Sequence, residues 1–162
     1  MIQNFTWPKS EDELDDKLIR DVIDHKCHIV SIPEGAHGPK YSFSIGLFVH
    51  FEHPELVIFG IDHNIAATAI NDACTLIERG HRFKHGDSSD EIFEGVNVMF
   101  MEVQPSFYSY YLGTAIWFYK SRSSSFPVLQ VVWPDTDHKF PWEKGCDPRC
   151  RKVQPVLQEQ NA

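Results

Sequence analysis

Cysteine is scarce, four residues in a chain of 162, which is too few for the disulfide scaffold of a small secreted domain. No run approaches the ~18 apolar residues that a bilayer-crossing helix needs, so no such helix is expected. The first residues, Met1-Ile2-Gln3-Asn4-Phe5-Thr6-Trp7-Pro8, have neither a basic start nor an apolar stretch. They do not read as a secretory signal, and the cytoplasm is the simplest address. Positive charge is also short: 15 Lys and Arg face 23 Asp and Glu, a formal net charge of −8. Such a field repels phosphate backbones and anionic headgroups, so neither nucleic acid nor a membrane surface is expected as a partner. It favours encounter with a basic protein, although acidity also serves solubility alone.

Familiar catalytic and nucleotide signatures are missing as well. There is no G-x-S-x-G elbow, no H-E-x-x-H helix, no G-x-x-x-x-G-K-[ST] and no G-x-G-x-x-G. Gly35-Ala36-His37-Gly38-Pro39-Lys40 has glycines at the wrong spacing, and Pro39 removes an amide. What is present is a globular composition, 42% hydrophobic and 13% aromatic, with no repeat and no low-complexity break. One domain over 1–162 is expected, since domains commonly run ~100–150 residues.

Ser10-Glu11-Asp12-Glu13 has the form of a capping box and predicts an N-terminal helix over 10–25. Leu14, Leu18 and Val22, with Ile19 and Ile23, would form its core face, and Asp15, Asp16, Lys17, Arg20 and Asp21 the solvent face. Strands are predicted over Cys27–Ile32, Tyr41–Leu47 and Glu55–Ile61, linked shortly enough to be antiparallel neighbours. The third is apolar on both parities, as a central strand covered on both sides would be. Asp62 or Asn64 can cap a second helix with Ala66, Ile70, Ala73 and Ile77 as its stripe and Gly80 as its stop. His81 to Gly95 reads as an exposed loop with a short strand, and Val96–Val103 as a further strand. Phe107–Lys120 predicts a third helix ended by Ser121–Ser125. Val128–Trp133 predicts another strand, followed by a wrapping tail over 134–162. The order points to an α+β fold, a mainly antiparallel sheet or partial β-barrel flanked by two or three helices.

Several strings occur together in one order: Tyr41-Ser42-Phe43-Ser44-Ile45-Gly46-Leu47, His53-Pro54-Glu55-Leu56, Gly60, Leu129-Gln130-Val131-Val132-Trp133-Pro134-Asp135, Phe140-Pro141-Trp142-Glu143 and Gln154-Pro155. On these the chain resembles the bacterial domain-of-unknown-function family numbered 4262, from about Ile29 to Leu157. The resemblance implies a shared scaffold and carries no activity, cofactor or catalytic residue with it. The N-terminal helix and the Cys146/Cys150 pair have no place in its pattern.

Chemistry is sought among the polar residues. His50 and His53 with Glu55 have the types to ligate a metal, but a turn at His53-Pro54 and a strand end at His50 explain them as simply. His138, Cys146 and Cys150 lack a fourth ligand. Asp135, Asp137 and His138 follow a strand, where Asp135 after Pro134 is also a natural turn residue. Lys120, Arg122 and the Ser123–Ser125 hydroxyls could meet a phosphate, with Tyr108, Tyr111 or Trp117 stacking on a ring; the likeness of a strand-rich, partly barrel-like domain to flavin-binding split barrels is an analogy of architecture only. Trp133, Phe140 and Trp142 form either a recognition surface or a lid.

Two functional expectations result, with no cofactor or metal assigned. The first is a non-catalytic cytoplasmic binding protein of immunity or inhibitor type, engaging a basic protein partner through Glu11, Asp12, Glu13, Asp15 and Asp16, whose alternative role is to balance a helix dipole. The second is a small enzyme or ligand-binding domain for a flavin, nucleotide or metal, using His53, Glu55, Gln130, Asp135 and Trp142 at the strand exits; it requires these side chains to converge on one concave site.

Overall fold

A computed structural model describes residues 1–121 and 126–158. Helix α1 (Glu13–His25) leads into β1 (His28–Ile32) and β2 (Tyr41–Ile45), then the short α2 (Leu47–Phe51), β3 (Glu55–Phe59) and α3 (His63–Glu78). The hairpin β4 (Ser88–Phe93) and β5 (Val96–Glu102) follows, then a 3-10 turn (Pro105–Phe107), α4 (Tyr108–Tyr111), α5 (Gly113–Phe118), β6 (Val128–Val132) and α6 (Pro148–Val153). The strands form one open sheet in the order β1-β2-β3-β6-β5-β4. Every neighbouring pair is antiparallel except β3 and β6, which run parallel. The fold is α+β, with an open sheet flanked by helices.

Strand periodicity explains the layers. In β3, Val57 and Phe59 enter a core with Leu18 and Val22 of α1, Tyr108 of α4 and Phe118 of α5. Leu56 and Ile58 enter a second core with Ala69, Ile70, Ala73 and Ile77 of α3. Successive side chains point to opposite faces, so a strand covered by helices on both sides must be apolar at every position, and all of β3 except Glu55 is. Small residues on α3 let that helix lie close to the sheet.

Three local expectations are corrected. Helix α1 starts at Glu13, not Ser10: the Asp12 side chain accepts from the Asp15 amide at 2.8 Å, while the Ser10 hydroxyl only donates to the Asp12 carbonyl. A carboxylate also gains from the helix dipole, which a hydroxyl does not. Leu14 and Ile23 are outside the core, 77% and 49% exposed, because the sheet meets only the side of α1 that carries Leu18 and Val22. The aromatic segment is not one helix, since Leu112 leaves helical geometry (φ −120°, ψ 35°) and divides α4 from α5 at Gly113. The expected stop at Ser121–Ser125 and the phosphate-binding residues Arg122 to Ser125 fall almost wholly outside the described residues.

The tail crosses back over the sheet. Its short α6 is admitted by Gly60 (φ 75°), where a Cβ would stand 2.8 Å from the Val153 carbonyl. Leu157 then closes the first core, and its carbonyl accepts from the Gln104 amide at 3.0 Å.

Candidate functional site

The polar residues divide into two hubs and a surface. The first hub surrounds Glu55, fully buried at the start of β3. Its carboxylate accepts from the Ser44 hydroxyl at 2.6 Å and from the amides of Gly46 at 2.8 Å, Phe48 at 3.2 Å and Leu47 at 3.3 Å. The Tyr119 hydroxyl also donates to it and accepts from the Val49 amide at 3.3 Å. The amides belong to the opening turn of α2, so the carboxylate does for that helix what an N-cap side chain would. Burial pushes the Glu55 carboxyl upward, against the lowering by Ser44, Tyr119 and the amides. Burial likewise raises Tyr119, followed by the charge of Glu55. Gly46 (φ 127°) allows the chain to turn here, because a Cβ would fall 2.3 Å from the Lys26 carbonyl.

His53 sits beside this hub and is spent differently. Its Nε2 accepts from the Phe83 amide at 3.0 Å, which places the proton on Nδ1, donating to the Pro54 carbonyl at 2.7 Å. Burial pushes the imidazole downward in pKa. His50 donates from Nε2 to the Val22 carbonyl at 2.7 Å. His50, His53 and Glu55 do not group as a metal site, and among the described residues no set of three or more His, Cys, Asp and Glu has metal-binding geometry.

The second hub ties the tail to the sheet. Gln130 accepts from the Leu157 amide at 2.9 Å and donates to the Pro155 carbonyl at 2.6 Å. Gln154 accepts from the Trp133 amide and donates to its carbonyl, both at 2.8 Å, the pairing a neighbouring strand would provide. Asp135 accepts from the amides of Asp137, Lys139 and Asp147 at 2.9, 2.9 and 2.7 Å, and the Asp147 and Lys139 amides hold its carboxyl below the usual range. Trp133 donates from its indole to the Phe59 carbonyl at 2.8 Å. His53, Glu55, Gln130 and Asp135 therefore satisfy four separate stretches of backbone and do not converge.

Trp142 stands apart from these. It is 45% exposed, stacks on Phe140 with rings 5.1 Å apart and 4° from parallel, and lines an open groove of about 500 Å³ with Pro141, Arg151, Gln154, Pro155 and Val156. The Arg151 guanidinium donates to the carbonyls of Pro141 and Glu143, so the groove wall is braced.

A family model described as Domain of unknown function (DUF4262) matches residues 21–147. The chain belongs to this family. The match begins inside α1 and ends at Asp147, the N-cap of α6, so the acidic start of α1 and the Gln154 and Leu157 bonds lie beyond it, and the span is displaced towards the N-terminus from the one read off the motifs. No curated protein and no solved structure matches the chain. The family strings now have physical content: Ser44, Gly46 and Glu55 build the first hub, and Gln130, Trp133 and Asp135 anchor the second. Ser44, Gly46, Tyr119 and Gln154 are the hub members that sequence reasoning did not nominate. Ser44 and Gly46 bracket a strand end nine to eleven residues before Glu55, a spacing a hairpin brings together; Tyr119 comes from a distant segment and leaves no local signal.

The acidic run divides too. Asp12 caps α1, and the Asp15 carboxylate accepts from the Glu11 amide at 3.0 Å. The side chains of Glu11, Glu13 and Asp16 are exposed. Glu11 also lines a groove of about 380 Å³ with Trp7, Pro8, Trp117, Lys9 and Lys120.

Proposed function

We propose that this protein is a cytoplasmic, non-catalytic binding protein of inhibitor or immunity type that engages a basic protein partner through the outer face of α1. The observation that carries the reading is the exposure of Leu14 and Ile23 on a helix whose solvent side also presents Glu13, Asp16 and Asp24. Leu14 and Ile23, on opposite flanks of the helix, give apolar contact area that is desolvated on docking, and the exposed carboxylates, which outnumber Lys17 and Arg20 on that face, steer the encounter. The neighbouring groove between Trp7 and Trp117 offers an aromatic pocket at the edge of the same surface. A net charge of −8 supports the choice of a basic partner. Four unbridged cysteines suit a reducing compartment, and no described helix is long and apolar enough to cross a membrane.

Native mass spectrometry of the gently isolated protein tests this. The expected result is a protein-sized adduct that dissociates as salt rises and is absent from a Glu13→Lys/Asp16→Lys variant of unchanged stability. An adduct indifferent to both would overturn the assignment to α1.

The groove beside Trp142 favours a second reading, a small planar ligand stacked on the indole with Arg151 near any acidic group it carries. A retained small-molecule mass lost in Trp142→Ala would support it in place of the first.

A further inference from the structure

The α1–β1 link and the middle of α3 each bring a cysteine to one small surface pocket. Cys27 and Cys74, both half-buried and unbridged, line an opening of about 250 Å³ with His25, Lys26, Phe51, Asn71, Thr75 and Glu78. They are 47 positions apart in sequence, so the fold alone brings them to one pocket, where the Cys27 thiol donates to the His28 carbonyl at 3.8 Å. Neither takes part in the two polar hubs or in the surface proposed for partner binding. We propose that Cys27 and Cys74 form a reversible dithiol site, oxidised to an intramolecular disulfide by a low-molecular-weight disulfide that reaches the pocket.

The order of attack follows from the surroundings. The neighbouring Cys74 thiol, burial and the charge of Glu55 all raise the Cys27 thiol well above the ordinary cysteine pKa, and the proposed sequence begins at Cys74. Lys26 on the rim offers an ammonium to the carboxylate of an anionic disulfide, with Glu78 lining the same opening. The Cys74 thiolate attacks one sulfur of the small disulfide, forms a mixed disulfide and expels one small thiolate. The Cys27 thiolate then attacks the Cys74 sulfur, closes the protein disulfide and expels the second. The protons of Cys27 and Cys74 end on the two small thiols; two protein thiols are oxidised and one small disulfide is reduced.

The closed bond would join α3 to the link whose Lys26 carbonyl packs on Gly46, and so clamp the backbone beside the Glu55 hub. The other pair, Cys146 and Cys150, is more deeply buried, at 3% and 6% exposure, and burial pushes the Cys150 thiol up to about 12. It is shielded from the same reagent and serves as an internal control.

The test is incubation of the reduced full chain with oxidised glutathione, followed by alkylation and peptide mapping without reductant. The expected result is a Cys27–Cys74 linked peptide that reappears as two free thiols on reduction, forms equally in a Cys146→Ser/Cys150→Ser variant, and is replaced in Cys27→Ser by a stable glutathione adduct on Cys74. A lasting adduct on Cys74 in the wild-type chain would show that Cys27 cannot reach it and would overturn the proposal. So would a link confined to Cys146–Cys150, or no reaction at either pocket cysteine.

Discussion

The two hubs use polar side chains for the same purpose and differ in what surrounds them. At Glu55 an ionisable group is fully enclosed, and a hydroxyl, a phenol and three amides converge on it. At Gln130 and Gln154 the groups are neutral amides, each paired with backbone as a strand would be, and the segment they hold carries an open groove on its outer side. The first hub is buried and costly to disturb. The second is cheaper to disturb and positions a surface. Buried polar residues in this fold hold the frame, and the surfaces proposed for recognition lie on α1 and beside Trp142.

Removing Glu55 should separate the hubs most sharply. Glu55→Ala leaves several buried donors unpaired and is expected to cost about 3–5 kcal/mol of unfolding free energy in urea melts. Glu55→Gln should cost less, because its amide oxygen still accepts from the α2 turn. A loss below about 1 kcal/mol for the alanine variant would mean that water replaces the carboxylate. Gly46→Ala is expected to cost about 2–3 kcal/mol, since the new methyl meets a backbone carbonyl at 2.3 Å rather than a yielding side chain. At the second hub, Gln130→Ala and Gln154→Ala should each cost about 1–2 kcal/mol. These variants should also raise amide exchange in the tail while leaving β3 protected; equal exchange throughout would merge the hubs into one cooperative unit.

A smaller effect appears with pH. His53 has its pKa depressed in the fold from an ordinary value of 6.5, so the unfolded chain binds the extra proton first. Its contribution is complete above pH 6.5 and is lost as pH falls through the lower folded value. Glu55, raised from 4.5, acts in the opposite sense, its neutral form becoming favoured as pH falls. The readout is therefore the difference between wild type and His53→Gln: stability measured from pH 7.5 to 5.5 should fall more steeply in the wild type, and parallel curves would remove His53 from the account.

Legibility in the sequence followed the range of the interactions. Strand β3 was visible because burial on both faces forces apolar residues at both parities, and α3 because its small and branched residues recur at one helical spacing beside the Asp62 cap. The start of α1 is not legible in the sequence, because both Ser10 and Asp12 have cap chemistry and the charge–dipole difference favours Asp12. The break at Leu112 was hidden because aromatic spacing continued across it. Leu14 and Ile23 had the periodicity of core residues, but only the width of the sheet determines how much of an amphipathic helix is covered. The candidate residues His53, Glu55, Gln130 and Asp135 were visible as polar groups in apolar strings; that each serves a different loop depended on chain segments far away, such as Phe83, Tyr119 and Asp147.

Recognition is proposed to reside on the outer face of α1. The most direct test is calorimetric titration of the co-isolated partner with wild type and with Glu11→Lys/Glu13→Lys/Asp16→Lys, at low and at physiological salt. The account predicts tight binding by wild type that weakens with salt, and at least a tenfold loss in the variant, equivalent to about 1.4 kcal/mol, with the variant still folded at the titration temperature. Equal affinity of the two proteins at both salt concentrations would contradict it.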